Sequence, residues 1–191
     1  LNSIFWRAVI KFEHELLPSN QLTFIKGDQK ILFLLDVGNG YKCWTARTFC
    51  EQYLPTINKI EAKEKVLQGW GNWGEVVRNI IETTLPEEIL EGLVFDHLPL
   101  STWSKGRVTL LGDAAHPMSP SAGQGANSAF EDAFILAKCI ELSPNIESAF
   151  TNYENNRLER IKIMQNHSAI GEENYYKSVK NESTNNNQTN S

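Results

Sequence analysis

The sequence has little cysteine, no excess of positive charge and no long apolar run. Its 191 residues include only three cysteines, none in C-x-x-C spacing, so we expect reduced thiols and neither a disulfide framework nor a cysteine-ligated metal. Lys and Arg together number 18 against 23 Asp and Glu, and the net charge of −5 argues against a nucleic-acid partner. No apolar run is longer than that at residues 31–35, whereas a transmembrane helix needs about 20 residues. A membrane-spanning segment is therefore not expected.

The beginning of the sequence lacks a targeting pattern. No basic segment followed by an apolar one comes after Leu1, so a signal peptide is not expected. Together with the sparse cysteines, this predicts a cytoplasmic protein. The four histidines are scattered without metal-type spacing, so no metal site is expected either.

The composition that remains favours a folded chain. Hydrophobic residues make up 41% and charged residues 21%, which is typical of globular proteins. The length allows one domain, or one domain and a fragment of another. The end of the chain is polar and of low complexity, and residues 176–191 are predicted to form a disordered tail.

Residues 1–100 predict an antiparallel sheet accompanied by helices. Aromatic and β-branched runs alternate with turn signals, of which Asn39-Gly40 is a strong hairpin signal. These runs predict strands at residues 4–13, 22–26, 30–37 and 41–49. Apolar residues then recur every three or four positions between 66 and 81, which predicts two short helices broken near Gly71. A further strand is predicted at 93–98.

Residues 101–142 predict a strand, a loop and a long helix. The run at 107–111 is apolar on both faces, as in a strand buried in a parallel sheet. Such a strand needs neighbours from βαβ units, and no second βαβ pattern occurs, so the sequence is interpreted as part of a fold. A charged helix is predicted within 143–175. The long helix is predicted from about 124 to 142, with an inner stripe of Ala129, Ala133, Leu136, Ala137 and Ile140.

The loop between the predicted strand and the long helix combines features of a ligand site. Asp113 follows the carboxyl end of the strand, where ligands bind in open α/β sheets. Gly123 and Gly125 allow a flat or anionic ligand to approach the backbone, and the free N–H groups of the first helical turn favour negative charge. Each feature also has a plain structural interpretation, as a turn residue or as a loop before a helix. Gly123-x-Gly125 does not fit a dinucleotide fingerprint, because the glycines come too long after the strand.

The combination is more specific than its parts. Gly-Arg-Val-x-Leu-Leu-Gly-Asp-Ala-Ala-His-Pro at 106–117, then Pro120, Gly-Gln-Gly-x-Asn at 123–127 and Glu-Asp-Ala at 131–133, closely resembles the second flavin-contacting motif of FAD-dependent aromatic-ring hydroxylases. These are single-component flavoprotein monooxygenases, a group that includes zeaxanthin-epoxidase-like enzymes. Phe5-Trp6-Arg7 is similar to an aromatic-Arg pair in the substrate domain of that family.

The resemblance implies FAD as cofactor and NAD(P)H as cosubstrate, with one oxygen atom of O₂ transferred to a small apolar aromatic or isoprenoid-like substrate. It implies that Asp113 binds the ribityl or pyrophosphate side of FAD and that Pro120 lies beside the flavin ring. The N–H groups of Gly125, Ala126 and Asn127 would face the pyrimidine edge of the ring. His116 is expected to be structural, and no catalytic acid or base is nominated. The implied FAD contacts are Asp113, Pro120, Gly123, Gly125, Ala126 and Asn127.

The expected fold class is α+β with a partial α/β portion. It would combine an antiparallel substrate-domain sheet with the C-terminal part of an FAD-binding Rossmann-like domain. The sheet would cover the substrate, and its aromatic residues suggest an apolar substrate, although core packing explains them equally well: Phe5, Trp6, Phe33 and Trp44.

One part of the family pattern is absent from this sequence. The N-terminal βαβ unit that binds the FAD pyrophosphate is missing, so the chain resembles the C-terminal half of a family member. The leading interpretation is therefore the C-terminal portion of a flavoprotein monooxygenase that needs an N-terminal half as partner. The alternative is a truncated or split product that binds no flavin by itself and acts at most as an interaction partner. A plain α+β binding domain that resembles the family by accident is the third interpretation.

Overall fold

The computed structural model describes residues 3–27, 29–49 and 55–186. They divide into two compact units between Val94 and Phe95. The second unit is Phe95–Lys177, and the end of the last helix, from Ser178, groups with the first unit.

The first unit contains a five-stranded antiparallel sheet with the strand order β2-β3-β4-β1-β5. This confirms the antiparallel sheet that the alternating pattern predicts. The turn between β3 and β4 has positive φ at Asn39 (53°) and Gly40 (77°), the conformation that a tight two-residue hairpin requires. The strands are β1 (Ser3–Lys11), β2 (Leu22–Gly27), β3 (Lys30–Gly38), β4 (Tyr41–Phe49) and β5 (Leu90–Leu93).

Strand β5 differs from its prediction. It begins at Leu90 and ends at Leu93, whereas the sequence places a strand at 93–98. Its position follows from pairing with β1, in which Arg7 lies opposite Leu90 and Ile4 opposite Leu93. The 3₁₀ turn Pro86–Glu88 directly precedes this strand.

Two helices cover one face of the sheet. Helix α1 (Lys59–Trp70) and helix α2 (Glu75–Thr83) are separated at Gly71–Gly74, as the break near Gly71 predicts. Trp70 meets Trp6 edge to face, with ring centroids 5.7 Å apart. The Trp44 indole N–H donates to the Thr84 hydroxyl at 2.9 Å. Aromatic burial of this kind contributes several kcal/mol, roughly 3–5 kcal/mol per large side chain when truncated to Ala.

The two faces of the sheet decide between the two interpretations of its aromatic residues. Trp6 and Trp44 are buried with α1 and α2, so core packing accounts for them. Phe5 and Phe33 lie on the opposite face and are half-buried. Cross-strand pairing brings further residues to this second, open face, which carries Phe5, Arg7, Val9, Phe24, Phe33 and Leu35.

The second unit begins with a short hairpin and continues with two helices. Strands β6 (Ser104–Lys105) and β7 (Val108–Thr109) pair antiparallel. The prediction of a buried parallel strand at 107–111 is therefore wrong for this structure. The strand here is antiparallel, and Val108 is 66% exposed. The physical reason is the lack of a partner, because the described part of the chain offers no strand to which this segment could pair in parallel.

Helix α3 (Gly125–Leu142) confirms the predicted long helix, but its inner stripe is rotated from the prediction. Ala133, Ala137 and Ile140 are exposed. The inner side is formed instead by Ser128, Asp132, Ile135, Leu136 and Cys139. Apolar periodicity predicts that the apolar residues of α3 face the protein interior. The buried carboxylate of Asp132 instead sets the orientation of this helix.

Helix α4 (Ile146–Asn186) is longer than the sequence predicts. It continues through residues 176–186, for which the composition predicts disorder, while residues 187–191 lie outside the described part of the chain. Its buried residues recur at helical spacing and become polar toward the C-terminal end. They are Ala149, Phe150, Tyr153, Arg157, Ile161, Gln165, Ser168 and Glu172.

Candidate functional site

The first part of the candidate site is a tight turn between β7 and α3. Gly112–Ala114 forms a single 3₁₀ turn, and Gly112 has a φ of +58°. An added Cβ at Gly112 would lie 3.2 Å from the Ala129 Cβ, so the turn packs directly against α3. Asp113 follows on the exposed side of this turn, and among the described residues its carboxylate has no hydrogen-bond partner. Both oxygens of Asp113 are thus available to accept hydrogen bonds from a ligand.

The second part is the N-terminus of α3. Pro120–Ala122 forms a 3₁₀ turn, Gly123 follows with a left-handed φ of +62°, and the helix starts at Gly125. Gly123 donates its N–H to the Pro120 carbonyl at 3.0 Å, which closes the turn. A side chain at position 123 would strain this conformation, which glycine adopts freely.

The first helical turn of α3 presents free backbone donors. The N–H groups of Gly125, Ala126 and Asn127 precede the first intrahelical bond, which Ser128 makes to the Gln124 carbonyl at 2.9 Å. No side chain caps the described helix and no acidic residue lies in its first turn. The positive end of the helix dipole is therefore uncompensated and directed at solvent, which suits a ligand group that carries negative charge.

A buried ion cluster joins the two parts. Asp132 is fully buried and accepts three hydrogen bonds, from the Gly112 N–H at 3.0 Å, from His116 Nε2 at 2.5 Å and from Arg157 Nε at 2.7 Å. Because a carboxylate only accepts, the hydrogen bond requires the His116 proton on Nε2. His116 therefore has the structural position that the sequence predicts, and Asp132 ties the 112–114 turn, α3 and α4 together.

Ionisation within the cluster follows from its contacts. Burial opposes the charge on Asp132, but hydrogen bonds from His116, the Gly112 N–H and Arg157 outweigh it and hold the pKa of this carboxyl below its usual value. Hydrogen bonds from Arg157 and Arg160 likewise lower the pKa of Glu131, although burial works in the opposite direction. Burial and the charge on Asp132 raise the pKa of the Tyr153 hydroxyl. Asp132 and Glu131 are thus ionised and paired with Arg157 at neutral pH.

The lowered carboxyl pKa values predict a loss of stability in acid. A carboxyl whose pKa is lower in the folded state contributes stability that is fully present above its unfolded pKa, about 4, and lost as the pH falls through the folded pKa. We expect the Tm to fall as the pH drops below about 4, and to fall less steeply in Asp132→Asn, which has no charge to lose. Thermal unfolding followed by circular dichroism from pH 7 to pH 2 measures both curves. Parallel curves for the two proteins would contradict the assignment.

Several residues around the site carry no sequence signal that points to it. Ser119 is buried and donates to Glu172, and Ser121 donates to the Ser168 carbonyl. Ser119 and Ser121 flank Pro120, and serines next to a proline are common in loops, so the sequence does not mark them as site residues. Glu172 belongs to a charged helix, whose acidic residues are expected on the solvent side.

A second glycine pattern has no part in the site. Residues 69–74 match Gly-x-Gly-x-x-Gly by spacing, but they join α1 to α2, and Trp70 within them is buried. A dinucleotide fingerprint requires a preceding strand and a following helix. Within the described ranges, no helix is long and apolar enough to cross a membrane. The same residues hold no cluster of three or more His, Cys, Asp or Glu that could bind a metal ion.

Comparison with known proteins identifies the segment that carries the site. Residues 82–167, which include Asp113, Pro120 and the start of α3, match the family described as FAD binding domain.

Two curated relatives illustrate the likeness. The chain is 40% identical over 106 residues to the 6-hydroxynicotinate 3-monooxygenase of Pseudomonas fluorescens, covering 54% of this chain and 27% of that protein. It is 37% identical over 150 residues to the chloroplastic zeaxanthin epoxidase of an Oncidium hybrid cultivar, covering 72% of this chain and 22% of that protein. The chain thus spans less than a third of the length of these relatives.

A solved structure shows the same fold. HpxO of Klebsiella pneumoniae, determined in complex with FAD and uric acid, superposes with a TM-score of 0.81 at 23% sequence identity. The match covers 93% of this chain and 48% of that one. Residues 82–167 therefore match an FAD binding domain, and the chain is similar to FAD-dependent monooxygenases over part of their length.

Proposed function

We propose that this chain is the C-terminal portion of an NAD(P)H-dependent flavoprotein monooxygenase that transfers one oxygen atom of O₂ to an aromatic or olefinic substrate. The observation that carries the proposal is the open, uncapped N-terminus of α3 next to a left-handed Gly123. It lies within the segment that matches an FAD binding domain.

The residues present fit a flavin. FAD, when bound, supplies the redox chemistry and the reaction with O₂, as cofactors of this class do. The N–H groups of Gly125, Ala126 and Asn127 would donate to the pyrimidine edge of the ring and stabilise the negative charge that reduction places there. Asp113 would accept hydrogen bonds from the ribityl side, and Pro120 would lie beside the ring.

The ion cluster supports this role because it makes the site rigid. The Gly112 N–H donates a hydrogen bond to Asp132 of α3. This bond fixes the backbone next to Asp113 relative to α3. Arg157 of α4 donates to the same carboxylate. It also donates to the Ser128 carbonyl at 3.2 Å. Binding groups that are held in place before the ligand arrives lose less free energy on binding.

The substrate class rests on the open face of the sheet and on the relatives. Phe24 and Phe33 pack with ring centroids 5.6 Å apart, and Arg7 lies 5.4 Å from the Phe5 ring centroid. A surface that is largely apolar and also carries Arg7 fits a small aromatic or isoprenoid-like molecule. The relatives act, by their names, on 6-hydroxynicotinate and on zeaxanthin. The cytoplasmic location of the chain stays a prediction.

The need for an N-terminal half is part of the proposal. The chain spans 48% of the HpxO chain and smaller shares of the curated relatives. In addition, α3 exposes Phe130 (75%) and Phe134 (64%), one helical turn apart on a side that no described residue covers. Such side chains are normally buried, and we propose that the N-terminal half covers them. The alternative for the isolated chain is a split product that binds no flavin by itself.

The decisive experiment compares this chain alone with the chain extended by the segment encoded upstream of Leu1. We expect the extended protein to show flavin absorbance and NAD(P)H-dependent oxygen uptake, and the 191-residue chain alone to show weak flavin binding or none. An extended protein that folds but takes up no FAD would contradict the proposed function. Oxygen uptake without any stimulation by aromatic or olefinic compounds would contradict only the substrate class.

A further inference from the structure

We propose that Glu172 of α4 is a positioning residue for the flavin-contacting turn, and that α4 acts as a clamp on that turn. The inference rests on the proposed function for its flavin readout, while its structural part concerns Ser119–Ala122, the turn that carries Pro120 and leads into α3.

The central contact is a buried hydrogen bond. The Ser119 hydroxyl donates to Glu172 Oε2 at 2.7 Å, and the two residues are only 1% and 3% exposed. The same Ser119 oxygen accepts the N–H of Ser121 at 3.2 Å. A hydroxyl has one proton to donate. Because the Ser119 hydroxyl donates it in the hydrogen bond to Glu172, the lone pairs of Ser119 are left to accept the Ser121 N–H. Glu172 thereby orients the hydroxyl that caps the turn.

Two further contacts place α4 against the same turn. The Ser121 hydroxyl donates to the Ser168 carbonyl at 2.7 Å, one helical turn before Glu172. Between them, Gly171 allows the close approach, because an added Cβ would lie 2.9 Å from Ser121 Oγ. At the start of the loop, Gln165 donates to the Pro117 carbonyl at 3.2 Å. Residues on three successive turns of α4 therefore hold the segment from Pro117 to Ser121.

The clamp acts on the donor groups of the site through the chain. The turn is closed by the Gly123 N–H on the Pro120 carbonyl, and α3 begins two residues later. If the turn shifts, Pro120 and the free N–H groups of Gly125–Asn127 shift with it. Holding the turn from α4 thus sets the geometry of donors that make no contact with α4 themselves.

The test compares Glu172→Ala with Glu172→Gln and with a matched control, Glu173→Ala. Glu173 is the neighbouring glutamate, more than half exposed and paired only with Lys177 at 2.7 Å in the described chain. We expect Glu172→Ala to raise hydrogen exchange of the amides of Ser121, Gly123 and Ser128 about tenfold, the effect of losing one strong hydrogen bond. Glu172→Gln keeps an acceptor oxygen for Ser119 and should restore slow exchange. Ser119→Ala, which removes both the donor to Glu172 and the acceptor of the Ser121 N–H, should raise exchange at least as much as Glu172→Ala.

The flavin readout uses the extended, FAD-binding protein. There Glu172→Ala is expected to weaken FAD binding about tenfold and to alter the flavin absorption spectrum, with recovery in Glu172→Gln. Exchange in Glu172→Ala no faster than in Glu173→Ala would overturn the clamp. Unchanged FAD affinity in Glu172→Ala, in a protein where Asp113→Ala weakens it, would overturn the positioning role alone. An unaltered extended protein that binds no FAD would instead overturn the proposed function, and the exchange experiment on the flavin-free chain would still decide the clamp.

Discussion

Replacing Asp132 by alanine is expected to lower the free energy of unfolding by about 3–5 kcal/mol, the loss typical of breaking a buried ion pair from one side. The change leaves the Arg157 guanidinium without its buried partner, and it removes the acceptor of His116 Nε2 and of the Gly112 N–H. Each of these donors is then buried and unsatisfied, which costs more than the lost attraction itself. Urea unfolding followed by circular dichroism and by tryptophan fluorescence measures the loss.

Two companion variants make this prediction specific. Asp132→Asn keeps the shape and one acceptor oxygen, so it should cost less than Asp132→Ala. Glu141→Ala serves as the control on the same helix, because its pair with Lys138 is more than half exposed and such pairs contribute at most about 1 kcal/mol. A loss below 1 kcal/mol in Asp132→Ala, equal to that in the control, would show that the cluster does not hold the second unit together.

Replacing Asp113 by alanine in the FAD-binding, extended protein is expected to weaken FAD affinity about 10- to 100-fold. Asp113 is exposed and makes no hydrogen bond to a described residue, so removal of its carboxylate exposes no unsatisfied partner. The Tm of the flavin-free protein should therefore stay within a degree or two of the unaltered value. Fluorescence titration with FAD and thermal unfolding without it are the two measurements.

The combination of results separates binding from folding. Asp113→Asn retains an acceptor oxygen and should bind FAD more tightly than Asp113→Ala. Glu159→Ala on α4 removes a carboxylate whose pair with Lys162 is exposed, and it should change neither measurement. FAD affinity that is unchanged in Asp113→Ala would remove this residue from the site. A large drop in Tm would mean that its role is structural.

The sheet could be predicted because its strands and turns are specified by residues that are close together in the sequence. Aromatic and β-branched residues predicted a strand at 4–13, and in β1 the residues Ile4, Trp6, Ala8 and Ile10 are all buried. Asn39-Gly40 predicted its hairpin because few residues other than Asn and Gly adopt positive φ at both turn positions. Strand β5 was misplaced because four residues carry too little pattern to fix a register, which pairing with β1 decides.

The second unit was predicted less well because its interior is polar. A helix with Asp132 and Ser128 inward does not follow apolar periodicity, so the stripe on α3 was assigned to the wrong side. The run at 107–111 was interpreted from its own composition, whereas a strand becomes parallel or antiparallel only through its partner. Glu172 gave no signal at all, since burial of a glutamate depends on a hydroxyl 53 positions away in the chain.

The sequence by itself indicated the resemblance to flavoprotein monooxygenases and the candidate cofactor site. Glycines, prolines and an aspartate at set spacing specify a turn conformation and a helix start, and these features are readable within thirty residues. Only the tertiary structure decided which groups hold that turn in place. It brought Asp132, Arg157 and His116 into one buried cluster and set Glu172 against Ser119. The physical reason is that a buried charge is stable only beside its partners, and those partners come from segments that spacing along the chain does not relate.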